Sequence, residues 1–323
     1  MHRPVTQVIT ARHQTEGGGF KIRRPLPSAG LRYLDPILLI DEMGPVDYRP
    51  GEGVGAPDHP HRGFETVTYM LDGEFEHRDS AGHAGRLQPG DVQWMTAGRG
   101  VVHSEMPSTR IMAEGGRVHG FQIWVNLPAR LKMTQPRYQE VAASRIPEAV
   151  SDDGLARVRV IAGEALGVSA RIDTHTPIIY QHWILQPGAQ VTQKLPADCN
   201  AMLYVFAGAI ESAGKPLVDG ELGILGKGDT LELSVPEAAA DSAQLLLLGG
   251  VPLGESVVQH GPFVMNTREE INQAITDYQQ GRMGVIQQAG SRPRRRGCGE
   301  RSRSLRSGQS CHSRESGDAW RID

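Results

Sequence analysis

The sequence has very little cysteine. Its 323 residues include three, Cys199, Cys298 and Cys311, and no two of them form a CxxC pair. A disulfide framework and a thiolate zinc site are therefore not expected. The first residues, MHRPVTQVITARHQ, also lack the apolar stretch of a secretory signal. Both observations predict a reducing, cytoplasmic setting.

Long apolar runs and an excess of one charge are missing as well. No apolar stretch approaches the roughly 18 residues that a membrane-spanning helix needs, so no membrane association is expected. The formal net charge is −3, from 34 basic and 37 acidic residues. Such a balance argues against a nucleic-acid-binding protein that works through its overall charge.

Glycine and proline are plentiful instead, with 39 and 21 residues, and they separate short apolar runs of strand length. Many short strands between turn signals are typical of β-sandwiches and β-barrels. We therefore predict an all-β chain that forms two jelly-roll barrels in tandem. The runs that support this prediction are PILLID (36–41), ETVTYML (65–71), DVQWM (91–95), GFQIWVNL (120–127), VRVIAG (158–163), QHWILQPGA (181–189), AMLYVFAGAI (201–210) and SAQLLLLGG (242–250).

The pattern divides the chain into three predicted regions. These are an N-terminal barrel over residues 1–136, a second barrel with a short closing helix over 137–288, and a tail over 289–323. Thr267 and Glu270 form a capping box at the start of the helix, and Gly281 stands where its C-terminal cap is expected. The tail has nine Arg, no Lys and almost no large apolar residue, so we expect it to be disordered.

Two residue pairs in the first region have the spacing of metal ligands: His59-Pro60-His61 and His103-Ser104-Glu105. On a strand, residues i and i+2 point to the same face, so each pair can aim two ligands into a barrel. Turn signals at 72–73 and 89–90 allow the two strands to lie side by side. The sequence therefore predicts one divalent transition metal ion bound through the following residues: His59, His61, His103 and Glu105.

The ligand types restrict the metal without fixing it. Imidazole and carboxylate without thiolate suit Fe(II), Mn(II), Ni(II), Cu(II) or Zn(II). Four protein ligands on an octahedral ion leave two positions for a chelating substrate, or for substrate plus dioxygen, whereas structural zinc is usually closed by four ligands. Glu105 also has a second possible role, since a carboxylate beside a metal can act as a general base.

The two β-rich regions share a pattern that indicates an internal duplication. MLDG (70–73) precedes PGD (89–91) in the first region, and VFAG (205–208) precedes KGD (227–229) in the second. Aligned on these turns, the ligand positions of the second region hold residues that form no ligand set. One barrel is therefore predicted to bind metal and the other to be structural. The replacing residues are Lys194, Pro196, Asp241 and Ala243.

A long block of the first region resembles the signature of the pirins, a branch of the cupin superfamily. The block is HPHRGFETVTYMLDGEFEHRDSAGHAGRLQPGDVQWMTAGRGVVHSEMP (59–107). Similarity extends from about residue 5 to residue 286, through FKIRRPLP (20–27), LRYLDPILLIDEMGP (31–45), VHGFQIWVNLP (118–128) and GPFVMNTREEI (261–271). The resemblance implies two cupin barrels, with iron, as Fe(II), in the N-terminal barrel at the positions of His59, His61, His103 and Glu105. The Arg/Ser-rich tail has no counterpart in this pattern.

The resemblance also implies two possible functions. Some pirins resemble quercetin 2,3-dioxygenases, which would make the chain an oxidoreductase that cleaves flavonols with dioxygen. In that case Glu105 would accept the proton of the hydroxyl next to the flavonol carbonyl. An apolar pocket on the same barrel would hold the substrate. The residues expected to line the pocket are Trp94, Met95, Phe121, Gln122 and Trp124.

Other pirins are described as regulators, which implies a non-catalytic iron-binding module that docks a transcription factor or a metabolic enzyme. A short basic run, Lys21, Arg23 and Arg24, is a conceivable docking feature of this chain. For either function we expect a monomer without direct nucleic-acid contact. A zinc hydrolase or isomerase on the same barrel has no support, because the sequence has no GxSxG nucleophile motif and no phosphate-binding glycine loop.

Overall fold

Two large β-sheets, each accompanied by a smaller one, build most of the molecule. A computed structural model describes residues 1–16 and 18–287. The tail over 289–323, with its predicted disorder, lies outside the described residues. In the part of the chain that is described, no helix has the length and apolar character that crossing a bilayer requires.

The first half of the chain forms a seven-stranded and a four-stranded antiparallel sheet. In the larger sheet the strand order is β12-β9-β6-β11-β4-β3-β2, and in the smaller one it is β5-β10-β7-β8. A short helix, α1 (Thr109–Glu114), follows the last residue of β10. The strands are β2 (Arg12–Glu16), β3 (Phe20–Leu26), β4 (Ile37–Tyr48), β5 (Ala56–His61), β6 (Phe64–Asp72), β7 (Phe75–Asp79), β8 (Ala84–Leu87), β9 (Val92–Thr96), β10 (Val101–Pro107), β11 (Gly116–Asn126) and β12 (Arg137–Val141).

The second half repeats this arrangement. Its larger sheet has the order β1-β22-β19-β24-β17-β14-β13, and its smaller sheet has the order β18-β23-β20-β21. Two small hairpins, β15-β16 and β25-β26, and the helix α2 complete the described chain. The elements are β1 (Val5–Thr10), β13 (Glu148–Val150), β14 (Ala156–Ala162), β15 (Glu164–Ala165), β16 (Val168–Ser169), β17 (Ile178–Leu185), β18 (Gln190–Lys194), β19 (Asn200–Ala207), β20 (Ala209–Ser212), β21 (Lys215–Val218), β22 (Glu221–Leu225), β23 (Thr230–Ser234), β24 (Ala243–Gly250), β25 (Val258–His260), β26 (Phe263–Met265) and α2 (Arg268–Gln279).

The two large sheets pack against each other through one face of each, and in the second half the other face is apolar as well. On β24, Leu246 and Leu248 point into the core between the barrels, while Leu245 and Leu247 point into the interior of the second barrel. Successive residues of a strand face opposite sides of its sheet, so a run of four leucines serves two cores. This confirms the all-β prediction of two barrels in tandem.

The internal repeat is confirmed, but its second turn was misaligned. Gly90 donates its N–H to the carbonyl of Met70 at 2.8 Å, and Gly220 donates to Val205 at 2.9 Å in the same way. Both glycines have positive φ, at 87° and 82°, so each suits a tight turn before the next strand of the larger sheet. The counterpart of PGD (89–91) is therefore the turn at 218–220. KGD (227–229) instead precedes β23, in the smaller sheet.

Three segments pack on the half of the molecule opposite to their place in the sequence. Strand β1 pairs with β22 of the second half, and β12 pairs with β9 of the first. Helix α2 packs through Ile271 and Ala274 in a cluster that includes Val102 of β10. These segments cross the predicted division at residue 136, which itself stays a prediction.

The closing helix begins and ends where the sequence indicates. The Thr267 hydroxyl accepts from the backbone N–H of Glu270, and the Glu270 carboxylate accepts from the backbone N–H of Thr267. Gly281 follows the last turn with a φ of 70°, a left-handed conformation that glycine adopts without steric cost. The capping box and the C-terminal glycine are thereby confirmed.

Candidate metal centre

Strands β5 and β10 bring the two predicted ligand pairs together. They pair antiparallel, with His103 opposite His59 and Val101 opposite His61. The ring centroids of His59 and His103 are 4.3 Å apart, and those of His61 and His103 are 5.0 Å apart. One ring nitrogen from each of the three histidines lies within 4.8 Å of the other two. This three-histidine cluster could hold a metal ion.

Burial keeps the three imidazoles neutral. Desolvation lowers the pKa of His59 and holds the pKa values of His61 and His103 well below the usual range for histidine. A neutral imidazole has the nitrogen lone pair that a metal requires. Nδ1 of His59 lies 2.7 Å from the carbonyl oxygen of Pro57, which can only accept, so the proton is on Nδ1 and the lone pair on Nε2.

His103 is the most unusual of the three. Its ring is fully buried, and neither of its nitrogens has a hydrogen-bond partner among the described residues. Leaving a buried polar atom without a partner costs about 1–3 kcal/mol, so such atoms are rare in folded proteins. A metal ion at the cluster would provide a partner for one of the two His103 nitrogens. The described residues therefore fit a metal centre.

Glu105 lies beside the histidine cluster rather than within it. Its Oε2 is 3.8 Å from Nε2 of His103. The register between β10 and β5 shifts after His103. Glu105 therefore pairs with Ala56, whereas an unshifted register would pair it with Pro57. The Thr68 hydroxyl lies 2.9 Å from Oε1, and the Gln122 amide donates to Oε2 at 3.1 Å. These two contacts hold the carboxylate at the edge of the cluster, and its role as a fourth ligand stays a prediction.

A cavity of about 290 Å³ opens onto His59, His61 and Glu105. Gln122 and Trp124 line it, as expected from the sequence. The other residues predicted for the pocket point elsewhere. Trp94 and Phe121 belong to the core between the barrels, and Met95 packs against Ala97 and Val101. The apolar side chains that line the cavity are Phe20, Ile22, Leu39, Met43, Phe75 and Trp124.

One wall of this apolar cavity has a charged group that the sequence did not reveal. The Arg24 guanidinium donates to both carboxylate oxygens of Asp41, at 2.5 and 2.6 Å, and to Glu16 at 2.7 Å. Burial raises the pKa of Asp41 to about 6, although Arg24 opposes the shift. A sequence signal did exist, because an acid inside the apolar run PILLID is unusual, but its partner could not be found without the pairing of the strands.

The basic run at 21–24 is not a free docking surface. Arg23 is paired with Glu42 at 2.8 Å and with Asp219 at 2.9 Å, and Arg24 is held by Asp41 and Glu16. Of the run, Lys21 alone is exposed. The suggestion that these side chains form a docking feature is therefore wrong for both arginines, because their charges are already neutralised inside the protein.

The segment that directly follows β5, at Arg62 and Gly63, is held by residues distant in sequence. The buried ammonium of Lys132 donates to the carbonyls of Gly63 and Val264 and to the side chain of Asn126, at 2.7, 3.1 and 2.6 Å. Arg62, next to His61, forms an ion pair of 2.7 Å with Asp277 of α2. Neither support was predicted, since nothing in the local sequence indicates the partner.

The equivalent strands of the second barrel direct mainly aliphatic side chains into its core. β18 and β23 pair in the same way as β5 and β10, and they contribute Val191, Leu231 and Leu233 to the core of that barrel. Within residues 1–16 and 18–287, the cluster of His59, His61 and His103 is the one group of at least three His, Cys, Asp or Glu with metal-binding geometry. The second barrel therefore has no such cluster in the described chain.

Comparison with known proteins now shows the family. The family model described as Pirin matches residues 19–125, and the model described as Pirin C-terminal cupin domain matches residues 180–284. The chain belongs to the pirin family. The tandem cupin fold of that family is the arrangement that the two pairs of sheets form, and the resemblance found in the sequence is confirmed.

Similar proteins come from distant organisms. Pirin of Homo sapiens is 42% identical over 287 residues, with 87% of this chain and 94% of that protein covered. Pirin-like protein of Solanum lycopersicum is 45% identical over 285 residues, with 87% and 93% covered. These identities extend across both barrels, so the similarity is to whole pirins and not to a single domain.

Solved structures show the same fold. A quercetin 2,3-dioxygenase from Acinetobacter baumannii has a TM-score of 0.83 at 35% sequence identity, covering 89% of this chain and 100% of its own. The bacterial pirin YhhW from Escherichia coli, in complex with nickel(II), has a TM-score of 0.57 at 21% identity, covering 76% and 98%. At that identity the second similarity concerns the fold alone.

Proposed function

We propose that the chain is a metal-dependent dioxygenase with a flavonol-like aromatic substrate. The observation that carries the proposal is the apolar cavity of about 290 Å³ next to His59, His61 and Glu105. Its volume is close to the lower limit of small-molecule sites, which are mostly apolar with a few polar groups. The structural similarity to a quercetin 2,3-dioxygenase supports the same reaction class.

The proposed ligands of the metal are His59, His61 and His103, with Glu105 as the fourth. Fe(II) is our first choice, and Mn, Ni, Cu and Zn share the preference for imidazole and carboxylate. When bound, a divalent ion supplies positive charge that stabilises a substrate oxyanion and supports chemistry with dioxygen. The neutral rings and the unpartnered nitrogens of His103 are what support this assignment.

Glu105 is the proposed general base. Thr68 and Gln122 hold its carboxylate at the cavity wall, where it can accept the proton of the hydroxyl next to the flavonol carbonyl. Apolar neighbours such as Phe75 and Trp124 exclude water from the substrate rings. Dioxygen, the co-substrate, adds to the deprotonated ring; the ring opens with release of carbon monoxide, and the proton returns to the product.

The alternative is a non-catalytic iron-binding module that docks a protein partner, such as a transcription factor or a metabolic enzyme. This alternative rests on the family resemblance. Its suggested docking residues, Arg23 and Arg24, already form ion pairs with Glu42 and Asp41. An open cavity beside the cluster favours catalysis, whereas a regulatory metal needs no space for a substrate. A cytoplasmic location and a monomeric state stay predictions for either function.

The test is anaerobic reconstitution with Fe(II), followed by the loss of quercetin absorbance when oxygen is admitted. We expect turnover by the wild type, none by His61→Ala, which loses a ligand, and a decrease of about 10²–10⁴-fold for Glu105→Gln, which cannot act as a base. His13→Ala is the matched control, because His13 is an exposed histidine outside the cavity. Tight iron binding without turnover by the wild type would overturn the dioxygenase proposal and favour the regulatory module.

A further inference from the structure

A row of polar side chains crosses the otherwise apolar cavity wall. Thr68, Gln122 and Asp41 are register neighbours on β6, β11 and β4, so they lie side by side on one face of the larger sheet. At one end of the row Thr68 and Gln122 contact Glu105. At the other end Arg24 extends the row from Asp41 to Glu16. The row therefore connects the edge of the metal cluster to the rim of the cavity.

Asp41 is an acceptor whose orientation is fixed. The Arg24 guanidinium binds both of its oxygens in a bidentate pair, which restricts the rotation of the carboxylate. An ionised carboxylate has about four lone-pair positions, so acceptor capacity remains on each oxygen after Arg24 is bound. The Asp41 side chain is 11% exposed and lines the cavity. The remaining capacity is thus available to a molecule inside the cavity.

The charge of this end of the cavity is negative. Two carboxylates, Asp41 and Glu16, surround the single guanidinium of Arg24. Such a site attracts hydrogen-bond donors and repels anions, especially where the surrounding wall is apolar and screening is weak. The opposite end, with the histidine cluster, suits a substrate oxyanion. The two ends of one cavity therefore select different groups of a ligand.

We propose that Asp41, oriented by Arg24, is a specificity-determining residue that accepts a hydrogen bond from a phenolic hydroxyl at the end of the ligand remote from the metal. This inference rests on the proposed function and specifies its substrate class: a planar aromatic compound with one hydroxyl that ionises at the metal and a second, neutral hydroxyl donor at the far end. A ligand with a carboxylate at the far end is rejected.

The experiment measures ligand binding without turnover. Wild-type protein loaded with Zn(II) and kept anaerobic is titrated with three ligands, and tryptophan fluorescence reports Kd. The first ligand is quercetin. The second is quercetin in which every hydroxyl is methylated except the one on the carbon bonded to the carbonyl carbon. The third is the unsubstituted flavonol, which has that hydroxyl alone. We expect quercetin to bind about tenfold more tightly than either analogue, the usual effect of one net hydrogen bond.

Variants assign that preference to a residue. Asp41→Asn keeps the shape of the side chain, and the double variant Arg24→Met with Asp41→Leu replaces the ion pair by apolar groups, leaving neither charge uncompensated. In both variants the ratio of the Kd values for the unsubstituted flavonol and quercetin is expected to fall, and in the double variant, which has no acceptor at this position, the two Kd values should lie within about twofold of each other. Asp47→Asn, an exposed acid outside the cavity, is the matched control.

The outcomes separate the two proposals. Equal binding of the three ligands by wild type overturns the role of Asp41 and leaves the dioxygenase proposal in place. Persistence of the quercetin preference in the double variant does the same, because another group must then supply the selectivity. If wild type binds none of the three ligands, the cavity is not a flavonol site and both proposals are overturned.

Discussion

The two barrels have the same topology and opposite interiors. In the first, β5 and β10 carry His59, His61, His103 and Glu105 into the barrel, while in the second β18 and β23 carry aliphatic side chains. The aliphatic interior shows that the fold does not require polar groups at these strands. The unpartnered nitrogens of His103 therefore lower the stability of the first barrel, and the proposed metal ion would account for their presence.

The largest effect is expected when histidines of the first barrel are replaced by aliphatic residues like those in the second. We expect the double variant His59→Val with His103→Leu to lose its bound metal, because two of the three clustered imidazoles are gone. In metal-free protein, His103→Leu alone is expected to be more stable than wild type by about 1–3 kcal/mol, since the two unpartnered nitrogens of His103 are replaced by an apolar group. Metal content after dialysis and urea unfolding provide the two readouts. Retained metal would place the site elsewhere.

A second difference is that the first barrel depends on the end of the described chain. Asp277→Leu leaves the buried guanidinium of Arg62 without its carboxylate, and we expect a loss of about 3–5 kcal/mol in the free energy of unfolding. Hydrogen exchange should show the loss of protection at β5, ahead of β18. Arg282→Ala removes the more exposed partner of Asp277 and is the control, with a loss below about 1 kcal/mol. Equal loss of protection in both barrels would contradict this dependence.

The reverse exchange sharpens the comparison. Leu233→His places an imidazole in the mainly aliphatic core of the second barrel, where Leu233 packs within a hydrophobic cluster. We expect a loss of about 2–4 kcal/mol and no additional metal binding. Val218→His, at an exposed position of β21, should change stability by less than about 0.5 kcal/mol. A second bound metal ion in Leu233→His would show that a single histidine suffices.

The last prediction concerns the junction between the barrels. Burial lowers the pKa of His182 to about 4, while its Nδ1 lies 2.8 Å from the Tyr69 hydroxyl. An unfolded histidine titrates near 6.5, so the unfolded state binds more protons between pH 6.5 and 4, and stability decreases as the pH falls through this window. The contribution of His182 is up to about 3 kcal/mol. In metal-free protein, urea unfolding of His182→Gln across this window should show a weaker pH dependence than wild type; an unchanged slope would contradict the assignment.

The meeting of His59, His61 and His103 was predictable from the sequence because these residues follow the period of a strand. An HxH and an HxE pair need no long-range information beyond the meeting of β5 and β10, and the turn signals between them predicted that meeting. The alternating apolar runs likewise predicted most strands of the larger sheets. The local sequence was sufficient to predict the cluster because the candidate ligands are spaced two residues apart, like the residues on one face of a strand.

What the sequence could not supply was the pairing of distant strands. Asp41 and Arg24 meet because β3 lies beside β4, and Gln122 joins them because β11 lies on the other side of β4. The assignment of Trp94 and Phe121 to the pocket was wrong for the same reason, since an apolar strand residue can face either of two cores. The repeat was misaligned because KGD and the turn at 218–220 have similar composition.

The contacts of Lys132 and Arg62 have a consequence for how the protein is made. The carbonyl that Lys132 binds belongs to Val264, and the carboxylate that Arg62 binds belongs to Asp277, so both partners leave the ribosome long after the histidines. Domains generally fold as units during synthesis, from the N-terminal end. Here the first unit to emerge is supported by the last described segment. A chain whose translation stops before residue 264 therefore lacks these supports, and the turn beside His61 reaches its full stability only after the closing helix has been made.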